Sequence, residues 1–255
     1  MVNKSFKIAK MNINDMVKPI IIFYLIIIAV VTFTTIQNIT NFNDNFHIVN
    51  SGLELATVIF LFVCGLNSFK ENFYFAQSNN ISRKSFIIGV IESIFPIAVV
   101  MAVIDVMINR ITNIFVQMPT IYDILYTSTG ADRVGIYNEW IQGNSFLTII
   151  NTFLLLLALY CFAYVLGVVI NMIYFRCNTI MKVVVSIIPI ALLNIAGVIE
   201  LNNRYFFPSV YEGIRKVFGI ATNNVYLAFL SLILIVMVLT GISFLLIKKA
   251  EVKGK

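Results

Sequence analysis

Few side chains in this 255-residue chain have types and spacing that could do chemistry. Two carboxylates, Glu92 and Asp105, sit within one long apolar run. An ionisable group held in a membrane span costs at least about 2.5 kcal/mol at its centre, which makes each a candidate for coupling to a proton or an ion. Glu92 and Asp105 share one predicted helix, and at 100° per residue they fall about 140° apart around it, so they do not form a carboxylate pair. Asp105 lies near the end of its run with Asn109 and Arg110 within a turn or so, close enough to reach the interface. The only histidine, His47, belongs to a connection, which rules out a His-based zinc site or a Ser/His pair within the apolar runs. Cys64, Cys161 and Cys177 have no paired spacing and read as small apolar core residues. No G-x-x-x-x-G-K-[ST] loop occurs, so the chain carries no P-loop for ATP.

The elements that must position these groups follow from composition. Hydrophobic residues make up 60% and charged residues 12%, with a mean hydropathy of +0.93. A soluble domain has roughly 45–50% apolar and about 25% charged residues. The chain therefore reads as an all-α integral membrane protein. Six spans of about 20 residues fit, near 19–39, 53–69, 86–109, 146–175, 183–200 and 225–247. The first run is too long for a signal-peptide core and reads as a retained span. Before it, residues 1–18 place Phe6, Ala9, Ile13, Met16 and Val17 at helical spacing among Lys4, Lys7, Lys10 and Lys18. That pattern predicts an amphipathic helix lying in the inner interface, with Pro19 opening the next helix; the alternative is a disordered basic tail. A basic tail, 248–255, closes the chain. Pro96 and Pro189 interrupt the third and fifth spans.

Charge sets the expected orientation. With the N-terminus inside, 13 of the 18 Lys and Arg residues fall in inner segments and 5 in outer ones, which predicts both termini in the cytoplasm. The net charge of +6 has this topological origin; the basic residues form no stripe suited to nucleic acid. Two faces are less apolar than the rest. Glu54, Thr57, Leu61, Gly65 and Ser68 share one stripe of the second span, and Ser186, Asn194, Gly197 and Glu200 fall within about 120° on the fifth. Either face could line a path or pack against a neighbour, including a second subunit. Arg110 to Ser145 forms a long outer connection, and 202–224 is rich in aromatic residues suited to an interface belt.

Between the second and third spans runs one polar stretch, Asn67 to Phe86. Its segment Phe75-Ala76-Gln77-Ser78-Asn79-Asn80-Ile81-Ser82-Arg83-Lys84-Ser85-Phe86-Ile87-Ile88-Gly89, with the order of parts over nearly the whole chain, resembles the permease subunits of ABC-2-type exporters. Within that family it looks most like the phenol-soluble-modulin and antimicrobial-peptide exporter permeases of Gram-positive bacteria. The resemblance implies a multi-pass protein of the bacterial cytoplasmic membrane with no enzymatic activity of its own. It implies partners: two copies of an ATP-binding subunit that carry Mg-ATP, and a second permease, identical or paralogous. The chain itself would hold no cofactor or metal. The polar stretch would form a coupling helix docked on the ATPase, with Phe69, Phe73, Tyr74 and Phe75 as aromatic anchors and Lys70, Glu71, Arg83 and Lys84 setting register. Its alternative reading is an ordinary inner loop. Membrane lipid and an amphipathic peptide substrate complete the implied partners, and nucleic acid is not among them. One departure stands out: the outer connection between spans 3 and 4 is longer than the family leads one to expect. Competing readings are a gradient-driven carrier or channel using Glu92 and Asp105, and a membrane scaffold or immunity factor without transport of its own.

Overall fold

The computed structural model describes residues 2–40, 52–127, 143–202 and 206–248. Among these residues there are nine α-helices: α1 (Val2–Thr40), α2 (Leu53–Asn67), α3 (Lys70–Ser78), α4 (Arg83–Thr112), α5 (Ile121–Tyr126), α6 (Phe146–Arg176), α7 (Thr179–Asn202), α8 (Phe206–Val217) and α9 (Val225–Lys248). Five helical stretches are long and apolar enough to cross a membrane: Lys4–Thr40, Leu53–Ser78, Arg83–Thr112, Phe146–Arg176 and Val225–Lys248. The limits of α2, α4, α6, α7 and α9 fall within a turn of those read from the sequence. His47 and the tail from Lys249 onward lie outside the described residues.

Local chemistry explains why these helices start where they do. Ser82 accepts from the Ser85 N–H at 3.1 Å to cap α4, and Ser145 does the same for Thr148 at 3.2 Å at the start of α6. Thr120 and Asp123 cap α5 reciprocally. Replacing Ser82 with Ala is expected to cost about 1 kcal/mol, the usual worth of a hydroxyl cap, measured as a shift in the denaturation midpoint in detergent.

The interior is organised around α6, which packs on α2, α9 and α4, while α1 runs along α4. The α2–α6 contact is a close backbone approach. A methyl group on Gly65 would collide with the Tyr164 carbonyl oxygen, and one on Gly167 with the Phe62 carbonyl oxygen. Small residues permit such approaches between helices in lipid, where dispersion rather than water exclusion drives packing. Glu54, Thr57, Leu61 and Gly65 are all buried in this contact, so the less apolar stripe of α2 is a packing face inside the chain. It does not line an open path.

The N-terminal segment departs from expectation. No separate interfacial helix precedes Pro19; α1 is one helix of 39 residues with Pro19 inside it, about 58 Å long at 1.5 Å per residue. Transmembrane helices accommodate a proline where neighbouring elements hold them. Here Ser5, Ile8, Ala9, Asn12, Met16 and Tyr24 form the buried stripe against α4. Of the apolar residues expected to enter lipid, Phe6 and Val17 remain exposed, whereas Ala9 and Met16 are buried within the chain instead. Asn12 meets Ser93, and Tyr24 meets Asp105, both 81 residues apart. The two helices are therefore parallel and in constant register. Consequently Lys7, Lys10, Asn14, Asp15 and Lys18, all exposed, lie beside the apolar length of α4, and the last residues of α1 extend past its end.

Candidate functional site

The polar stretch folds as α3, held at one end of the bundle by its aromatic residues. Phe69 and Phe73 are fully buried and stack on each other with ring centroids 5.1 Å apart. Each also packs edge-on against Phe86, at 5.7 and 5.5 Å, and against Phe175, at 5.4 and 5.7 Å. Such edge-to-face geometry adds to the burial of large apolar area. These contacts correct the expected role of Phe69 and Phe73: they bind α3 to α4 and α6 and are not available to a separate subunit. Tyr74 is half-buried, 5.7 Å from Phe175.

The far end of α3 is locked by its turn. Asn80 adopts φ 52°, the Ile81 N–H reaches the Ala76 carbonyl at 2.9 Å, and the Asn80 N–H reaches that of Gln77 at 3.1 Å. This is a Schellman closure with Asn as the left-handed residue. Two residues later Ser82 caps α4. An aromatic brace on one side and a closed turn on the other thus fix α3 to α4 and α6. The outer face of α3 carries Lys70, Glu71 and Phe75, all exposed, with Lys84 beside them. Arg83 is half-buried and donates to the Lys248 carbonyl at 3.2 Å, joining α4 to the end of α9.

A second polar group lies deep in the other half of the bundle. Asp105, buried, accepts hydrogen bonds from Tyr24 at 2.9 Å and from Tyr160. Thr57 of α2 lies close by, its hydroxyl donating to the Leu53 carbonyl at 3.3 Å. Glu54 is buried nearby, close to Ile121 of α5. Asn109 donates to the Met118 carbonyl at 2.8 Å, so the connection after α4 folds back over this cluster. Tyr126 of α5 donates to the Phe218 carbonyl at 2.8 Å, and burial pushes its phenol up to about 12, so it remains a donor. The sequence placed Asp105 near an interface; the structure buries it among three helices. Nearer the α3 end, Asn12 forms a similar link, donating to Ser93 at 2.5 Å and Tyr164 at 2.9 Å.

The remaining expected site residues are dispersed. Glu92 is exposed on α4, on a different face from Asp105, so the two do not meet. Ser186 is exposed and 2.6 Å from the Tyr174 hydroxyl. Asn194 is exposed on α7, and the surroundings of Gly197 lie outside what the structure describes. Among the described residues the main tertiary neighbour of α7 is α8. Among the described residues no cluster of His, Cys, Asp and Glu is arranged to hold a metal ion. The residues that sequence reasoning missed are Tyr24, Tyr160, Asn12 and Tyr164; polar groups recurring in otherwise apolar spans were the available signal. Comparison with family models, curated proteins and solved structures found no match to this chain.

Proposed function

We propose that this chain is the membrane permease subunit of an ATP-driven exporter that moves amphipathic peptides out of the cell, powered by a separate ATP-binding subunit. The observation that carries the reading is α3: a short polar helix braced rigidly on the bundle, with Lys70, Glu71 and Phe75 turned outward. That is the mechanical requirement for passing a partner's movement into membrane helices. In this reading α7 is also a span, the fifth of six in chain order, both termini are cytoplasmic, and the membrane is the bacterial cell membrane. Two permeases, identical or paralogous, enclose the path. The exposed polar face of α1 and the exposed Glu92 support a second subunit, because polar side chains at the depth of an apolar span need protein or water against them. Closure of the ATP-binding pair would push α3 and rock the helices from inward- to outward-facing.

The test is co-expression with the ATP-binding subunit. Glu71→Arg and Phe75→Ala are each expected to weaken the complex by about 1–2 kcal/mol and to reduce stimulation of the partner's ATPase in proportion, with thermal stability of the permease unchanged. Unaltered stimulation in the double variant would remove α3 from the coupling role. A second reading, a gradient-driven carrier, draws on the buried carboxylates Asp105 and Glu54.

A further inference from the structure

A cleft of about 670 Å³ opens beside α3, at the elbow where α6 turns into α7. Its lining includes Lys70 of α3, Arg176 at the end of α6 and Lys182 in the first turn of α7, and no carboxylate. All three cations are exposed. Asn171, Asn178 and Thr179 add uncharged polar groups. The first turn of α7 forms one wall, and the leading N–H groups of a helix lack intrahelical acceptors and carry partial positive charge. Four sources of positive potential thus converge on one opening, which selects an anion.

Position narrows the class. Lys70, Arg176 and Lys182 stand where the apolar lengths of α2, α6 and α7 end, the level at which a bilayer's phosphates lie. Tyr74 and Tyr174 line the same cleft, amphipathic rings suited to that level. A soluble anion has no reason to concentrate at that level, whereas a lipid headgroup is held there by its acyl chains. We propose that the cleft binds the phosphate of an anionic phospholipid, whose chains enter the hydrocarbon and whose headgroup ties Lys70 of α3 to Arg176 and Lys182. The lipid would then fix the angle of the α6–α7 elbow, which the hydrogen bond between Tyr174 and Ser186 also spans. This assignment needs only a membrane protein and does not rest on the exporter reading.

Delipidated full-length protein in detergent, titrated with phosphatidylglycerol or phosphatidylcholine and read by native mass spectrometry, tests it. Phosphatidylglycerol should be retained over phosphatidylcholine. The Arg176→Gln/Lys182→Gln variant should bind it roughly 30-fold more weakly, the loss expected from removing two cations near an anionic headgroup. Lys216→Gln, on α8, should bind it like the unsubstituted chain. Without any variant, acetylation of Lys70 and Lys182 should slow in phosphatidylglycerol nanodiscs relative to phosphatidylcholine nanodiscs. Equal retention by the double variant, or equal labelling in the two bilayers, overturns the site. Protection of both lysines by inorganic phosphate alone at millimolar concentration would make it a soluble-anion site and overturn the lipid assignment.

Discussion

Gly167→Val should lose about 3 kcal/mol of stability, because its branched side chain meets backbone that cannot move aside. A Cβ at Gly167 lands on the Phe62 carbonyl oxygen and within 2.9 Å of the Leu66 nitrogen. Neither is the end of a flexible side chain. Gly65→Val should behave similarly against Tyr164 and Gly167 itself, and the double variant should cost less than the sum, since both force the same pair of helices apart. Gly241 is the control: a Cβ there meets nothing within 4 Å. Gly241→Ala in the α9 interior should be neutral or slightly stabilising. Denaturant titration in a fixed detergent compares all four. A Gly167→Val variant as stable as the unsubstituted chain would mean that α2 and α6 do not pack as described.

Asp105→Ala is expected to cost about 2–5 kcal/mol, because it strips the acceptor from two buried tyrosine hydroxyls rather than one. Tyr160 is fully buried and bonds Asp105, whereas Tyr24 has the Met101 carbonyl at 3.1 Å as a second acceptor. Tyr24→Phe should therefore cost only about 1 kcal/mol, and Tyr160→Phe more. A double-mutant cycle between Asp105 and Tyr160 should show strong coupling. Asp105→Asn keeps an acceptor oxygen and should fold. If Asp105 is a structural tie between α1, α4 and α6, Asp105→Asn retains ATP-driven export. If it is an ion-coupling group of a carrier, the same variant stops flux while the protein stays folded.

Much of the fold was legible in the sequence. Apolar runs set the limits of α2, α4, α6, α7 and α9, whereas the caps Ser82, Thr120 and Ser145, and α5 itself, emerge only in the structure. What each face meets was not legible. The stripe from Glu54 to Gly65 reads equally as a path or a packing surface until Gly167 is brought opposite, about a hundred residues away in sequence. Phe69 and Phe73, one turn apart, form an aromatic face whose destination depends on Phe86 and Phe175. The amphipathic pattern of residues 4–18 was visible, yet its buried side serves α4 and not lipid. Pro19 signalled a helix start because local rules favour it there, but packing on α4 carries the helix through. In each case a long-range contact decided between two readings that the local pattern left open.

Reconstitution into inverted vesicles bears most directly on the exporter reading. Vesicles holding this chain are compared with and without the ATP-binding subunit, and uptake of a fluorescent amphipathic peptide is followed with ATP or an imposed ion gradient. The account predicts uptake only when partner and ATP are both present, with Glu71→Arg reducing it. Uptake by the chain alone, driven by a proton or sodium gradient and indifferent to ATP, would contradict it.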